Sequence, residues 1–355
     1  MLYPVYALLF ADAGLSTSQI STLFVIWSVV SFVFEVPSGA LADAWSRRGL
    51  YAIGEILTAA GYALWLIWPA FPGFALGFML WGLGGALSSG TLEALVYDQV
   101  GDAYAKVMGR ASTAGILAMT AATLLATPAF AAGGYRLVGI ASIATVTLGG
   151  LLALRLPDSR GTHEEADDHN EGSYLLLLRA GLRESIKNRR IILALAVAAL
   201  LPGFSALDEY LPLLAREKGA PTVAVPLLFA LTALAMAAGS ALAGRFAAPV
   251  SAVAAVLLAA GALVPHLAGM VAISAAFGLL QFGMIRAETR LQAEITGPAR
   301  STVLSVSGFA AEAFAVTLYA WFALPLSLTA LFALAAAPLL LTAALELAAT
   351  RGRSR

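Results

Sequence analysis

Twelve apolar runs divide this sequence, and almost no charge interrupts them. They are 1–11, 17–42, 49–69, 72–97, 108–131 and 134–155, then, after a polar interval, 190–212, 220–245, 248–267, 269–290, 300–322 and 325–347. A membrane-crossing helix needs about 20 apolar residues, and all but the first run reach that length. Charged residues make up 12% of the chain, against about 25% in a soluble domain. Too little charge is present to coat a water-exposed surface. The pattern predicts an all-α polytopic membrane protein.

Residues 1–11 are too short to span and lack the basic start of a signal peptide. They read as the outer half of a truncated first helix, with the true N-terminus upstream of Met1. The polar interval separates two sets of six, giving an N-terminal bundle over 1–156, a linker over 157–189 and a C-terminal bundle with a basic tail over 190–355. The linker begins with an acidic stretch, 158–172, expected to be disordered. It continues as a basic amphipathic helix, with Leu175–Leu178, Leu182 and Ile186 opposed to Arg179, Arg183 and Lys187, suited to a membrane surface.

Zero net charge points to no nucleic-acid partner, and the absence of cysteine excludes disulfides, thiolate metal sites and a cysteine nucleophile. Placing the loop at 43–49 inside puts eighteen of the twenty-one lysines and arginines on the cytoplasmic side, leaving only Arg136, Arg216 and Lys218 outside. That bias sets the orientation, C-terminus cytoplasmic, and supports the span count. Arginine and alanine bias suggests a bacterial genome, and hence a plasma-membrane location.

One polar knot stands between the second and third runs: Glu35, then Ser38-Gly39-Ala-Leu-Ala-Asp43, then Arg47-Arg48-Gly49. A degenerate copy, Gly239-Ser-Ala-Leu-Ala-Gly-Arg245, follows the eighth run, the matching place in the second half. Internally repeated transporters predict such an echo.

In Gly39, Leu41, Ala42, Asp43, Arg47, Arg48 and Gly49 the chain resembles the major facilitator superfamily, whose loop signature is G-x-L-A-D-x-x-G-R-[KR]. Ser46 departs from it. Residues 89–98 look like the fourth helix of bacterial drug-efflux-type members. Thr127-Pro128 ahead of Gly133-Gly134 lacks the full antiporter pattern. The resemblance implies two six-helix bundles with inverted 3+3 repeats, working by alternating access. It further implies a cytoplasmic gate of Gly39, Asp43, Arg47, Arg48 and Asp98, with Asp43 near Arg300–Ser305 and Arg47 or Arg48 near Asp98.

Ionisable groups inside a span are expensive and need a reason. Ser28, Ser31, Glu35 and Ser38 form one helical stripe, read either as hydrogen-bonding glue or as a wet pathway face. Ser301, Ser305, Gly308, Glu312 and Tyr319 form another. Glu312 lies about 18 Å along its helix, near the midplane. It is either a protonatable site or a neutral acid bonded to a neighbouring helix. Glu312, Glu35 and Glu93 are therefore the proton-coupling candidates, and Ser28, Ser31, Gln281 and Tyr319 the cavity candidates. Gly82, Gly85 and Ser89 have close-packing spacing. Glu55 snorkels or pairs with Arg47 or Arg48. Asp208-Glu209-Tyr210 ends the seventh run as a gate or a solvated rim. Trp65 and Trp68 read as an outer aromatic belt, and Tyr3, Pro4 and Tyr6 as cavity lining.

The acid run at 164–168 reads as solvated linker charge rather than a metal site. No H-E-x-x-H, G-x-S-x-G or P-loop pattern appears, so the chain is expected to be no enzyme and to need no metal or cofactor. The functional expectation is a monomeric secondary transporter in the lipid bilayer, exporting a small molecule against protons. The alternatives are a metabolite uptake carrier of the same fold and a transport-inactive receptor or truncated product.

Overall fold

The structure, a computed structural model, describes residues 1–89, 91–157, 189–245, 248–295 and 300–351. The acidic stretch and amphipathic helix expected in the linker lie outside the described residues. Among the described residues nine helical stretches are long and apolar enough to cross a membrane. They match the sequence pattern once one of them is seen to hold two runs and two further helices are seen to be short. Two compact units emerge, Met1–Glu164 with Pro221–Leu227, and Glu165–Ala220 with Leu228–Arg355.

The first unit contains α1 (Tyr6–Asp12), α2 (Thr17–Ala44), α3 (Arg47–Ile67), α4 (Phe71–Ser88), α5 (Thr91–Val100) and α6 (Tyr104–Ala153). Ser16 and Gln19 form a reciprocal capping box that starts α2, and Ser46 caps α3 through the Gly49 amide. Two glycine pairs let α3 and α4 touch. A β-carbon on Gly84 would sit 2.4 Å from the Gly54 carbonyl oxygen, and one on Gly61 would sit 2.5 Å from that of Gly77. Gly85 has open space around it, so Gly84, not Gly85, supplies the close packing. Backbones approach this way where lipid gives no hydrophobic drive and dispersion must hold helices together.

Around that seam Tyr6, Phe10, Phe24, Trp65, Phe74 and Phe78 are all buried. Tyr6 and Trp65 pack with tilted rings 5.5 Å apart between centres, and the Trp65 indole donates to the Phe74 carbonyl at 3.1 Å. Two expectations are corrected here. Trp65 is core rather than an outer belt, because its N–H is satisfied internally. Tyr6 packs among aromatic rings instead of lining a cavity. α6 holds two runs, broken by non-helical backbone at Gly133 and Gly134. Gly134 has φ +56, a left-handed conformation that suits glycine. The arm 135–153 returns antiparallel to α3, with Gly139 beside Leu66 and Gly150 beside Ala52.

The second unit contains α7 (Arg189–Gly203), α8 (Leu211–Glu217), α9 (Val225–Ala243), α10 (Ser251–Leu263), α11 (Ala268–Glu294), α12 (Arg300–Phe322) and α13 (Leu328–Arg351). Phe204–Tyr210 is a 3-10 stretch between α7 and α8. Pro202 lies inside the last turn of α7 and Pro212 at the start of α8. Proline cannot continue the hydrogen-bond ladder, so the seventh run is broken there. α10 has 13 residues, about 20 Å of helix, which is short for a hydrocarbon core of about 30 Å. Side chains from other helices meet both its ends. Lys218 Nζ donates to the Ala262 carbonyl at 2.7 Å and to that of Val264. The Glu346 carboxylate accepts from the Ser251 amide at 3.3 Å. Thr232 and Ser274 share a 2.9 Å hydrogen bond between α9 and α11.

Candidate functional site

The first unit carries a polar circuit at its Arg47 end. Arg47 and Arg48 open α3, where the positive helix terminus disfavours cations, so each must find an external partner. Arg47 forms an ion pair with Asp98 on α5. Arg48 turns the other way and donates to the Leu156 carbonyl at 3.0 Å and that of Leu154 at 3.5 Å. It thus caps the end of α6, and the two adjacent arginines do different work. Glu55 faces Tyr51, one turn away on its own helix, rather than either arginine. The backbone of Gly39 and Asp43 belongs to α2. The Asp43 side chain lies outside the described residues, as do those of Arg300 and Ser301.

The serine stripe of α2 turns to α4. Ser28 and Ser38 are buried, Ser31 donates to the Gly82 carbonyl at 3.5 Å, and Ser38 donates to the Glu35 carbonyl at 2.8 Å. Gly82 is needed there, since a β-carbon would meet the Trp27 carbonyl oxygen at 2.9 Å. The Glu35 carboxylate is exposed and accepts from the Ser89 hydroxyl at 2.8 Å. Ser89 is also where the fourth run, expected to be continuous, is interrupted. Its backbone is extended, with φ −61 and ψ 128. Ser88-Ser89-Gly90, three poor helix formers in succession, is the sequence signal for that interruption. Glu93, in the first turn of α5, is exposed.

The second unit carries a separate acidic site. Tyr319 on α12 is buried and lies within electrostatic reach of Asp208, Glu209, Tyr210 and Glu312. Its ring and that of Tyr210 are 6.3 Å apart, and Tyr210 stacks on Phe322 at 4.2 Å. The expected solvated rim is therefore corrected: Glu209 and Tyr210 are buried, because the 3-10 stretch turns them onto α12 and α8 continues the chain beyond. Sequence reasoning singled out Glu312 and Tyr319 but left Asp208 and Glu209 apart from them. The pair of prolines flanking those acids was the available signal. Tyr319 and Ser28, both expected to line a cavity, are buried. Gln281 is half-buried on α11.

The Major Facilitator Superfamily model matches residues 1–291. The chain belongs to the Major Facilitator Superfamily. As a member it is a multi-pass membrane protein and a secondary transporter of small molecules rather than an enzyme. Solved structures agree on the fold. The nucleoside transporter NupG superposes with TM-score 0.77 over 98% of this chain and 94% of its own, at 13% identity. A bacterial homologue of the human lysosomal transporter Spinster, inward-facing and unoccupied, gives TM-score 0.72 over 99% and 92%, at 16% identity. A curated relative, an uncharacterized 38 kDa protein in the 23S RNA operon of Thermoproteus tenax, is 33% identical over 125 residues. That match covers 35% of this chain and about a third of the relative, 32% of its length.

Proposed function

We propose that this superfamily member exports a small, partly hydrophobic molecule across the plasma membrane in exchange for protons. The reading gives Glu312 the proton, with Glu35 and Glu93 as further coupling carboxylates. The cytoplasmic latch is Gly39, Asp43, Arg47, Arg48 and Asp98. The bundles are 1–156 and 190–355, joined by a cytoplasmic linker at 157–189, and the C-terminus is cytoplasmic. Ser28, Ser31, Gln281 and Tyr319 are the cavity contacts, and the chain works as a monomer.

One observation carries the reading: Asp208, Glu209 and Glu312 all lie within electrostatic reach of the buried Tyr319 in the second unit. Intramembrane acids at such positions serve proton relays. Protonation changes the stability of charge inside the bundle, and so which conformation is favoured. The structural neighbours include carriers described as nucleoside and peptide transporters, which supports a small organic cargo.

The test has two stages. Deletion and overexpression strains are exposed to a panel of toxic compounds, and a compound so identified is then followed in proteoliposomes under an imposed proton gradient. Gradient-dependent export that is lost in Glu312→Gln is the expected result. Full coupling retained in both Glu312→Gln and Glu35→Gln overturns the assignment, and a flat sensitivity profile replaces export with metabolite uptake.

A further inference from the structure

The interruption at Ser89 leaves a short helix with a polar contact at each end. At its root, the Ser89 hydroxyl donates to Glu35 on α2. At its tip, Asp98 pairs with Arg47 on α3. Between them α5 has 10 residues, about 15 Å of helix. The break is also internally satisfied. Thr91, the first residue of α5, is buried, and its hydroxyl donates to the Leu87 carbonyl at 2.8 Å, tying the new helix to the last turn of the old one. A frayed helix end does not bury a threonine in this way.

We infer that α5 is a lever linking the protonation state of Glu35 to the Arg47–Asp98 latch, with Ser89 as the positioning residue that transmits it. The inference rests on the proposed role of Glu35 as a coupling carboxylate. An ionised carboxylate is acceptor-only and forms a short, charge-assisted bond with a hydroxyl. Protonated, it becomes a donor as well and holds Ser89 less strongly. Releasing the root frees α5 to pivot at the extended Ser89 backbone, and the pivot displaces Asp98 from Arg47. One proton thereby reaches a gate two helical elements away without any charge moving between them.

The elements beside α2 in the first unit carry these titratable or charged groups. α1 brings Tyr6 and Asp12, at the far end of α2 from Glu35. α3 brings Arg47, Arg48, Tyr51, Glu55 and Tyr62. α4 brings none, and α5 brings Glu93, Tyr97 and Asp98. Of these, Glu93 lies on the lever itself, close to its root, and is the rival for the trigger.

The chain has no cysteine, so Ile56→Cys on α3 and Gln99→Cys on α5, both at exposed positions, accept a pair of nitroxide labels without further changes. Distances between them are measured in lipid nanodiscs from about pH 3 to 8, a range that spans carboxylate titration. The expected result is a distribution that changes with pH in the parent. In Glu35→Gln it stays in its low-pH form throughout. Ser89→Ala and Glu35→Asp displace the midpoint by about half a pH unit or more, and Ser89→Thr, which keeps the hydroxyl, restores it.

A parent distribution independent of pH overturns the lever. So does Glu35→Gln with the parent's curve, or Glu93→Gln locking α5 in place of Glu35→Gln. Transport measured on the same preparations separates the two ideas. Lost proton coupling with an unaltered α5 overturns the lever and leaves Glu35 as a carrier. A locked α5 with coupling intact overturns Glu35 as a carrier and leaves the lever standing.

Discussion

Glu217 and Lys218, neighbours in sequence, hold opposite ends of two different helices. The Glu217 carboxylate accepts from the Thr329 hydroxyl at 2.8 Å and its amide at 3.3 Å, at the start of α13. The Lys218 ammonium donates to the Ala262 and Val264 carbonyls at the end of α10. Each charge meets the helix terminus whose dipole favours it. One turn after α8 thus fixes three helices of the second unit together, and compensates for the shortness of α10.

Lys218→Met is expected to lower thermal stability, because the buried Ala262 carbonyl and the partly buried Val264 carbonyl lose their donor, a loss of about 1–3 kcal/mol. Burial holds the Lys218 ammonium below the usual lysine range, while Glu217 pulls it back up. Between that lowered value and the unfolded value of about 10.4, the unfolded chain binds more protons. Stability contributed by this group therefore rises with pH across that window. The melting-temperature gap between parent and Lys218→Met should widen as pH is raised towards 10; a constant gap rejects the argument.

The two arginines of the loop should separate experimentally. Arg47 has a carboxylate partner and Arg48 has backbone carbonyls. A double-mutant cycle on unfolding in detergent should give a coupling of about 1 kcal/mol between Arg47→Gln and Asp98→Asn, and a smaller one between Arg48→Gln and Asp98→Asn. Arg48→Gln acts instead on the end of α6, read as faster amide exchange over 150–156. Equal couplings for the two arginines would contradict the division.

Glycines spaced alike are not alike in packing. Gly84→Ala drives a methyl into the Gly54 carbonyl, and overpacking of that kind costs about 1–3 kcal/mol. Gly85→Ala meets nothing within 4 Å and should be neutral or mildly stabilising, since alanine is the better helix former. Unfolding midpoints of the two variants should move in opposite directions or differ by that margin.

Much of this was legible in the residues and some was not, for physical reasons. The apolar runs announce spans because a bilayer demands length and a lack of charge, and the Gly133-Gly134 turn falls where two runs meet. The resemblance led to the Arg47–Asp98 pair, yet nothing in the chain says which arginine takes Asp98, because both sit in the first turn of α3, about 100° apart around it. Small residues at Gly84 and Gly85 share one composition and only the crossing of α3 and α4 separates them. Glu209 is the clearest miss. An acid near the end of an apolar run reads as a solvated edge, and only the 3-10 geometry between Pro202 and Pro212 turns it inward beside Tyr319.

That inward turn yields the sharpest functional expectation. If Glu312 carries the proton and Glu209 only shares its neighbour Tyr319, the two acids must fail differently when neutralised. Glu312→Gln removes the carrier. Uphill transport driven by a proton gradient should fall by about tenfold or more, while downhill exchange of the same compound persists, since binding and conformational exchange are untouched. Glu209→Gln leaves the carrier but removes one negative charge within reach of Tyr319, so coupling persists while the pH profile of transport departs from the parent's. Tyr319→Phe keeps the ring packed against Tyr210 and deletes the hydroxyl, and should move the profile without abolishing coupling. Proteoliposome flux measured against pH for the three variants separates these outcomes. Identical profiles for Glu209→Gln and the parent would detach Glu209 from the site and leave Glu312 to act alone.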